Sequence, residues 1–294
     1  MTSAEPLPAA SPSTQSKLSG TALPPWSWVV IAVISVQVGA AIAKSLFDVA
    51  GTSGVVFIRT LLAAVLFNLI WRPALRGHSR KAYGFVLLYG ATIALNMLVF
   101  YATIVRIPLG IAVAIAFAGP LGIAVLGSRK LVDVVWVVVA AAGIILLSPL
   151  TDKTLDPVGV GLAAVTALLW ATYIVITKRA SSVLDGNTIL PLSMLVATVI
   201  SLPFGIQGAS QVLTNPNLIL TGLLAGLLSS AIPFWLEFKA LSRLSSRVFG
   251  LLVSLEPVAA AVAGFILLHE DLSLQKIVGI GLVTIAAAAT TRAG

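Results

Sequence analysis

Residues Arg106 to Gly127 read RIPLGIAVAIAFAGPLGIAVLG, and Arg243 to Gly264, 137 positions further on, read RLSSRVFGLLVSLEPVAAAVAG. Both open on arginine, carry a proline at matching positions (Pro120 and Pro257) and close on glycine, so the chain reads as two halves of common design. Each copy is embedded in membrane-like sequence. With an odd number of spans per half, the second copy sits upside down in the bilayer, the inverted-repeat plan of alternating-access transporters.

Outward from these stretches, hydrophobic residues make up 59% of 294 positions and charged residues 10%, with a mean hydropathy of +1.07. That balance excludes a water-soluble domain and predicts an all-α integral membrane protein. Ten apolar segments can be drawn, at 26–47, 52–71, 82–103, 108–127, 132–150, 157–178, 187–206, 217–237, 248–268 and 274–291. Each is near the ~20 residues that take a helix across a ~30 Å hydrocarbon core. Five fall in a first repeat, 26–151, and five in a second, 152–294. Residues 1–25, rich in Ala, Pro and Ser, read as a disordered cytoplasmic tail.

The net charge of +8 is distributed by topology and does not point to nucleic acid. With the N-terminus in the cytoplasm, Arg72, Arg76, Arg80, Lys81, Arg129, Lys130, Lys178, Arg179, Lys239, Arg243, Arg247 and Arg292 fall on the inner side. The outer loops hold only Arg106, Lys153 and Lys276. This asymmetry obeys the positive-inside rule and puts both termini inside. The chain has no cysteine, which removes disulfides and thiolate metal sites. Its two histidines, His78 and His269, lie in loops, and no zinc pair, intramembrane aspartate pair or phosphate loop is present. Neither an enzyme nor a metal or other cofactor is implied.

Ionisable groups inside spans are costly, so the few present focus the functional search. Arg59 falls about 10 Å below the outer edge of the second span, and Glu256 about 12 Å from the inner edge of the ninth. Their axial separation in a ~30 Å core is then about 8 Å. Two roles remain open: they bind the two charges of one substrate, or they face each other as a structural ion pair. A guanidinium fork suits a carboxylate, and a buried Glu accepts from an ammonium or takes up a proton, so Glu256 is also the candidate for proton coupling.

Pro120 and Pro257 are candidate helix breaks near mid-membrane, either for packing or to turn freed carbonyls toward a cavity. Lys44, near the outer end of the first span, either snorkels to headgroups or assists Arg59. Asn96, nearly level with Arg59, and Gln37 either bind polar substrate atoms or bridge helices. Tyr101, Phe117, Trp170 and Tyr173 are candidate cavity walls, with packing or an interfacial belt as the alternative.

The run Ser254-Leu255-Glu256-Pro257, followed by Glu270-Asp271-Leu272, resembles the EamA-type members of the drug/metabolite transporter superfamily. Several stretches are similar to the Rht-type threonine/homoserine exporters of bacteria. They are Gly39-Ala40, Ala43 to Phe47, Arg59, Pro108 to Ala114, Gly119-Pro120, Asp133 to Val138 and Phe249-Gly250, and the similarity runs from about residue 29 to 290. The resemblance implies a basket of ten helices in the bacterial inner membrane that exports small neutral amino acids, with a small amino acid and protons as its partners. Phe117-Ala118 stands where those exporters are expected to be more polar, so drugs, nucleobases or other small metabolites stay open as substrates. A non-transporting scaffold is the reading of another class.

Overall fold

The computed structural model describes residues 23–107, 109–127, 131–147, 156–259, 262 and 273–293. The tail at 1–22, the divide between halves near Asp152, and the Glu270-Asp271-Leu272 pattern lie outside them. The described residues are helical with short turns and contain no strand. In chain order the helices are α1 (Pro25–Lys44), α2 (Phe47–Trp71), α3 (Arg80–Ile104), α4 (Leu109–Ala116), α5 (Ala118–Leu126), α6 (Leu131–Leu147) and α7 (Pro157–Ala180). They continue with α8 (Gly186–Leu213), α9 (Pro216–Gly226), a π-helical segment (Leu227–Ala231), α10 (Ile232–Arg243), α11 (Ser246–Val253) and α12 (Leu274–Ala293).

Local chemistry sets these limits. Ser79, Asp156, Asp185, Asn215 and Ser245 accept from backbone N–H groups in the first turns of α3, α7, α8, α9 and α11, filling donors that a helix start leaves open. Prolines open α1, α7 and α9, where a missing N–H costs nothing. Arg72 ends α2 in the left-handed region at φ 44°.

Among the described residues, six helical stretches are long and apolar enough to cross a membrane: α1, α2, α3, α7, α8 and the continuous run Pro216–Arg243. The apolar helices at 111–126, 131–146 and 277–289 are shorter. Large exposed apolar side chains such as Leu168, Val199 and Leu220 give the outer surface the character of a lipid-facing wall. Two segments run further than the sequence suggests. The one expected at 187–206 continues to Leu213, and the one expected at 217–237 continues to Arg243.

Packing runs across the chain rather than within either half. Helix α1 packs on α10, α2 on α8, α3 and α4 on α7, α5 on α11, and α6 on α12. The α2–α8 seam is lined with small residues: Gly54 meets the backbone of Ala209, and Gly208 lies so close to Ala50 that a Cβ there would strike its carbonyl. Thr60 and Ser201 share a hydrogen bond of 3.0 Å across the same seam. Small residues and interhelical hydroxyl bonds are what drive helix association where burial from water cannot. The two stretches quoted at the start meet directly, since a Cβ on Gly250 of α11 would lie 2.5 Å from the Pro120 carbonyl oxygen of α5. Beside them Arg247 of α11 and Asp133 of α6 form a buried ion pair, with the aspartate side chain 2% exposed.

Candidate functional site

The site begins with carbonyls that prolines leave unserved. Helix α4 ends at Ala116 and α11 at Val253, each four residues before a proline, at the carbonyl whose helical donor that proline lacks. Phe117 and Ser254 then adopt matching conformations, φ −66° with ψ −14° and φ −61° with ψ −8°, before helix resumes. The breaks expected at Pro120 and Pro257 therefore fall three residues ahead of each proline.

A third proline acts in the same way. Pro233 offers no N–H to the carbonyl of Ser229, and the helix widens to π-helical geometry over Leu227–Ala231. The freed Ser229 carbonyl accepts from Nη2 of Arg59 at 2.5 Å. Nε of Arg59 donates to Ser230 Oγ at 3.1 Å, and Nη1 to the Tyr101 hydroxyl at 2.9 Å. The guanidinium is thus fixed on three sides, and one N–H on each terminal nitrogen remains for a ligand. Helix α1 holds the widened turn from behind: Ser35 Oγ donates to the Leu228 carbonyl at 2.6 Å, and Gly39 has no room for a side chain against Leu228 and Ser229.

Arg59 faces a cavity of about 320 Å³ between the two halves of the chain. Of the residues singled out from sequence, the structure brings Gln37, Asn96, Tyr101, Phe117, Trp170, Tyr173, Glu256 and Pro257 to the same cavity. Phe117 and Trp170 pack with ring centres 4.8 Å apart. Asn96 Nδ2 donates to the Thr166 carbonyl at 3.2 Å, and Gln37 Nε2 to the Glu256 carbonyl at 3.3 Å, so both bridge helices while lining the space. Lys44 does not join them, because it is the exposed last residue of α1. Pro120 is buried in α5 and is not part of the cavity wall. Among the described residues, ion pairs link Arg106 to Asp156 and Arg247 to Asp133; Arg59 and Glu256 are not within ion-pair distance.

Sequence reasoning missed Glu237. It lines the cavity from α10 and its Oε2 accepts from the Tyr173 hydroxyl at 2.7 Å. The segment expected at 217–237 ends at this residue, with Lys239 two positions on assigned to the inner side. Lys239 is instead held over two indole rings, 4.8 Å from the centre of Trp28 and 4.4 Å from that of Trp235, which shields its charge and lets the helix continue. The signal available was Trp235, one helical turn before Lys239 and on the same face. Ser229 and Ser230 were also missed; the serine pair shortly before Pro233 was the cue.

Residues 157–292 match the EamA-like transporter family. Over 274 residues, 92% of each chain, the sequence is 36% identical to the threonine/homoserine exporter RhtA of Escherichia coli strain K12. It is 35% identical over the same length to RhtA of Salmonella typhimurium strain LT2. Protein PecM of Dickeya dadantii strain 3937 is 28% identical over 207 residues, 64% of this chain and 67% of that one. A solved crystal structure superposes with a TM-score of 0.75 at 17% identity, covering 91% of this chain and 96% of that one, a likeness of fold alone.

Proposed function

Since the chain belongs to the EamA-like transporter family, as a multi-pass membrane protein and not an enzyme, we propose that it exports threonine, homoserine or similar small neutral amino acids. Export is from the cytoplasm across the bacterial inner membrane, by alternating access and in exchange for protons. The observation that carries this reading is a tethered guanidinium and an acidic side chain on the walls of one cavity without an ion pair between them. Arg59 receives the substrate carboxylate through its remaining N–H groups. Glu256 and the acidic wall around it receive the ammonium, and Asn96 and Gln37 orient the polar side chain.

Size favours this class of cargo. A space of about 320 Å³ stands at the lower end of the roughly 300–1,000 Å³ of small-molecule pockets, and suits a small zwitterion better than a bulky drug. The names of the RhtA relatives support the same class. A net-neutral substrate gains nothing from membrane voltage, whereas one exchanged proton adds about 2.3 kcal/mol per 100 mV. The distribution of Lys and Arg supports a cytoplasmic position for both termini.

Counterflow in proteoliposomes with radiolabelled threonine tests the reading. Unlabelled threonine and homoserine inside the vesicles are expected to drive label uptake, and acidic amino acids to fail. No uptake of labelled threonine with threonine or homoserine inside, together with counterflow of a labelled nucleobase, would reject the amino-acid assignment.

A further inference from the structure

Arg59, Glu237 and Glu256 line one cavity, and Glu256 lies within Coulomb reach of the other two. Glu237 has only the neutral Tyr173 hydroxyl as hydrogen-bond partner among the described residues. With both carboxylates ionised, the cavity holds one negative charge more than Arg59 offsets. At membrane depth an unmatched carboxylate is costly until a cation or a proton joins it. Neither Glu256 nor Glu237 has an ion-pair partner among the described residues, and Glu237 is the one held by a hydroxyl that can follow its protonation.

We propose that Glu237 is the exchange site of the transporter, holding the substrate's ammonium in one half of the cycle and a proton in the other. This rests on the export reading above and places the proton on Glu237 instead of Glu256. As the ammonium leaves toward the outside, a proton from that side forms one O–H bond on a Glu237 oxygen. Toward the cytoplasm that bond breaks, the proton passes to water, and the electron pair left on the carboxylate accepts an N–H of the next ammonium.

The surroundings contain the second partner such a switch needs. Ionised, Glu237 accepts from the Tyr173 O–H. Protonated, it donates to the Tyr173 oxygen, and the Tyr173 proton turns to another acceptor. Tyr89 of α3 provides one: its side chain is 0% exposed, its ring stacks on Tyr173 at 5.6 Å, and its hydroxyl has no hydrogen-bond partner among the described residues. Of the other charged groups on the neighbouring elements, Lys44 of α1, Arg80 and Lys81 of α3 and Arg179 of α7 are exposed at helix ends, and the rest are engaged elsewhere. Lys239 and Arg243 lie over Trp28, Lys178 of α7 donates to the carbonyls of Leu241 and Leu244, and Asp185 caps α8.

Purified full-length protein in liposomes separates the roles. Glu237→Gln is expected to weaken threonine counterflow, because the ammonium loses its carboxylate, and to lose accumulation driven by a proton gradient even at threonine concentrations that restore counterflow. Wild type reaches about tenfold accumulation for each tenfold gradient when one proton is exchanged. Glu237→Asp is expected to restore part of that accumulation, and Tyr89→Phe to lower it. Gradient-driven accumulation at the wild-type level in Glu237→Gln would overturn the proposal. If wild type shows no counterflow with any amino acid, the export reading falls, and infrared difference spectra between acid and alkaline samples still decide on Glu237. A protonated-carboxyl band lost in Glu237→Gln supports the assignment, and one that survives defeats it.

Discussion

At the scale of single residues, a ligand site needs charge that is held in place without being used up. Arg59 meets this need because its donors reach a hydroxyl, a phenol and a bare carbonyl at once. A lysine is a point charge on a flexible stem and cannot span all three. Arg59→Lys is expected to raise the KM for threonine counterflow roughly ten- to hundredfold, equivalent to losing one hydrogen bond of a charged group at about 1.5–3 kcal/mol. An unchanged KM would show that the substrate carboxylate lies elsewhere. Arg59 was legible in the sequence because an arginine inside an apolar run is conspicuous. Glu237 was not, since it stands next to Lys239, and a nearby pair of charges looks like the end of a span until Trp28 is known to cover the lysine.

At the scale of elements, proline acts by what it fails to donate. Pro233→Ala would return an N–H to the Ser229 carbonyl, which would then compete with Arg59 for that oxygen. The expected result is a severalfold rise in KM with thermal stability kept or improved, read from transport and from melting in detergent. Matching helix breaks before Pro120 and Pro257 could be anticipated from the repeat, whereas Pro233 alone does not tell from sequence that the helix widens instead of breaking. The start of α7 gives a pH-dependent prediction. Arg106, and then the Val158 N–H, hold the Asp156 carboxyl below its usual range. A depressed acid stabilises the fold above its ordinary value near 4 and loses that contribution as pH falls through the lower folded value. The protection factors of amides in the first turn of α7, taken relative to the intrinsic exchange rate at each pH, are therefore expected to fall on acidification below about pH 4, and to be low already at neutral pH in Asp156→Ala.

At the scale of the whole molecule, the buried pair of Arg247 and Asp133 joins α11 to α6 beside the meeting point of α5 and α11. Asp133→Ala leaves the Arg247 guanidinium, whose side chain is 17% exposed, without its counter-charge and is expected to cost about 1–3 kcal/mol of stability, less than breaking a fully buried pair. Replacing both residues together by apolar ones of similar size should recover most of that loss, as a melting experiment would register. The membrane class and most segment positions followed from hydrophobicity, since lipid leaves a chain few choices. The partner of each helix did not, because small residues and hydroxyls decide it and these are common on every face. The resulting arrangement governs how the protein is made. Helices α1, α2 and α3 leave the ribosome before α10, α8 and α7, the neighbours they finally clasp, have been synthesised. They must wait in lipid with their narrow glycine faces open, so assembly belongs to the last moments of synthesis, and a nascent chain halted after α6 should be prey for membrane proteases until the remainder arrives.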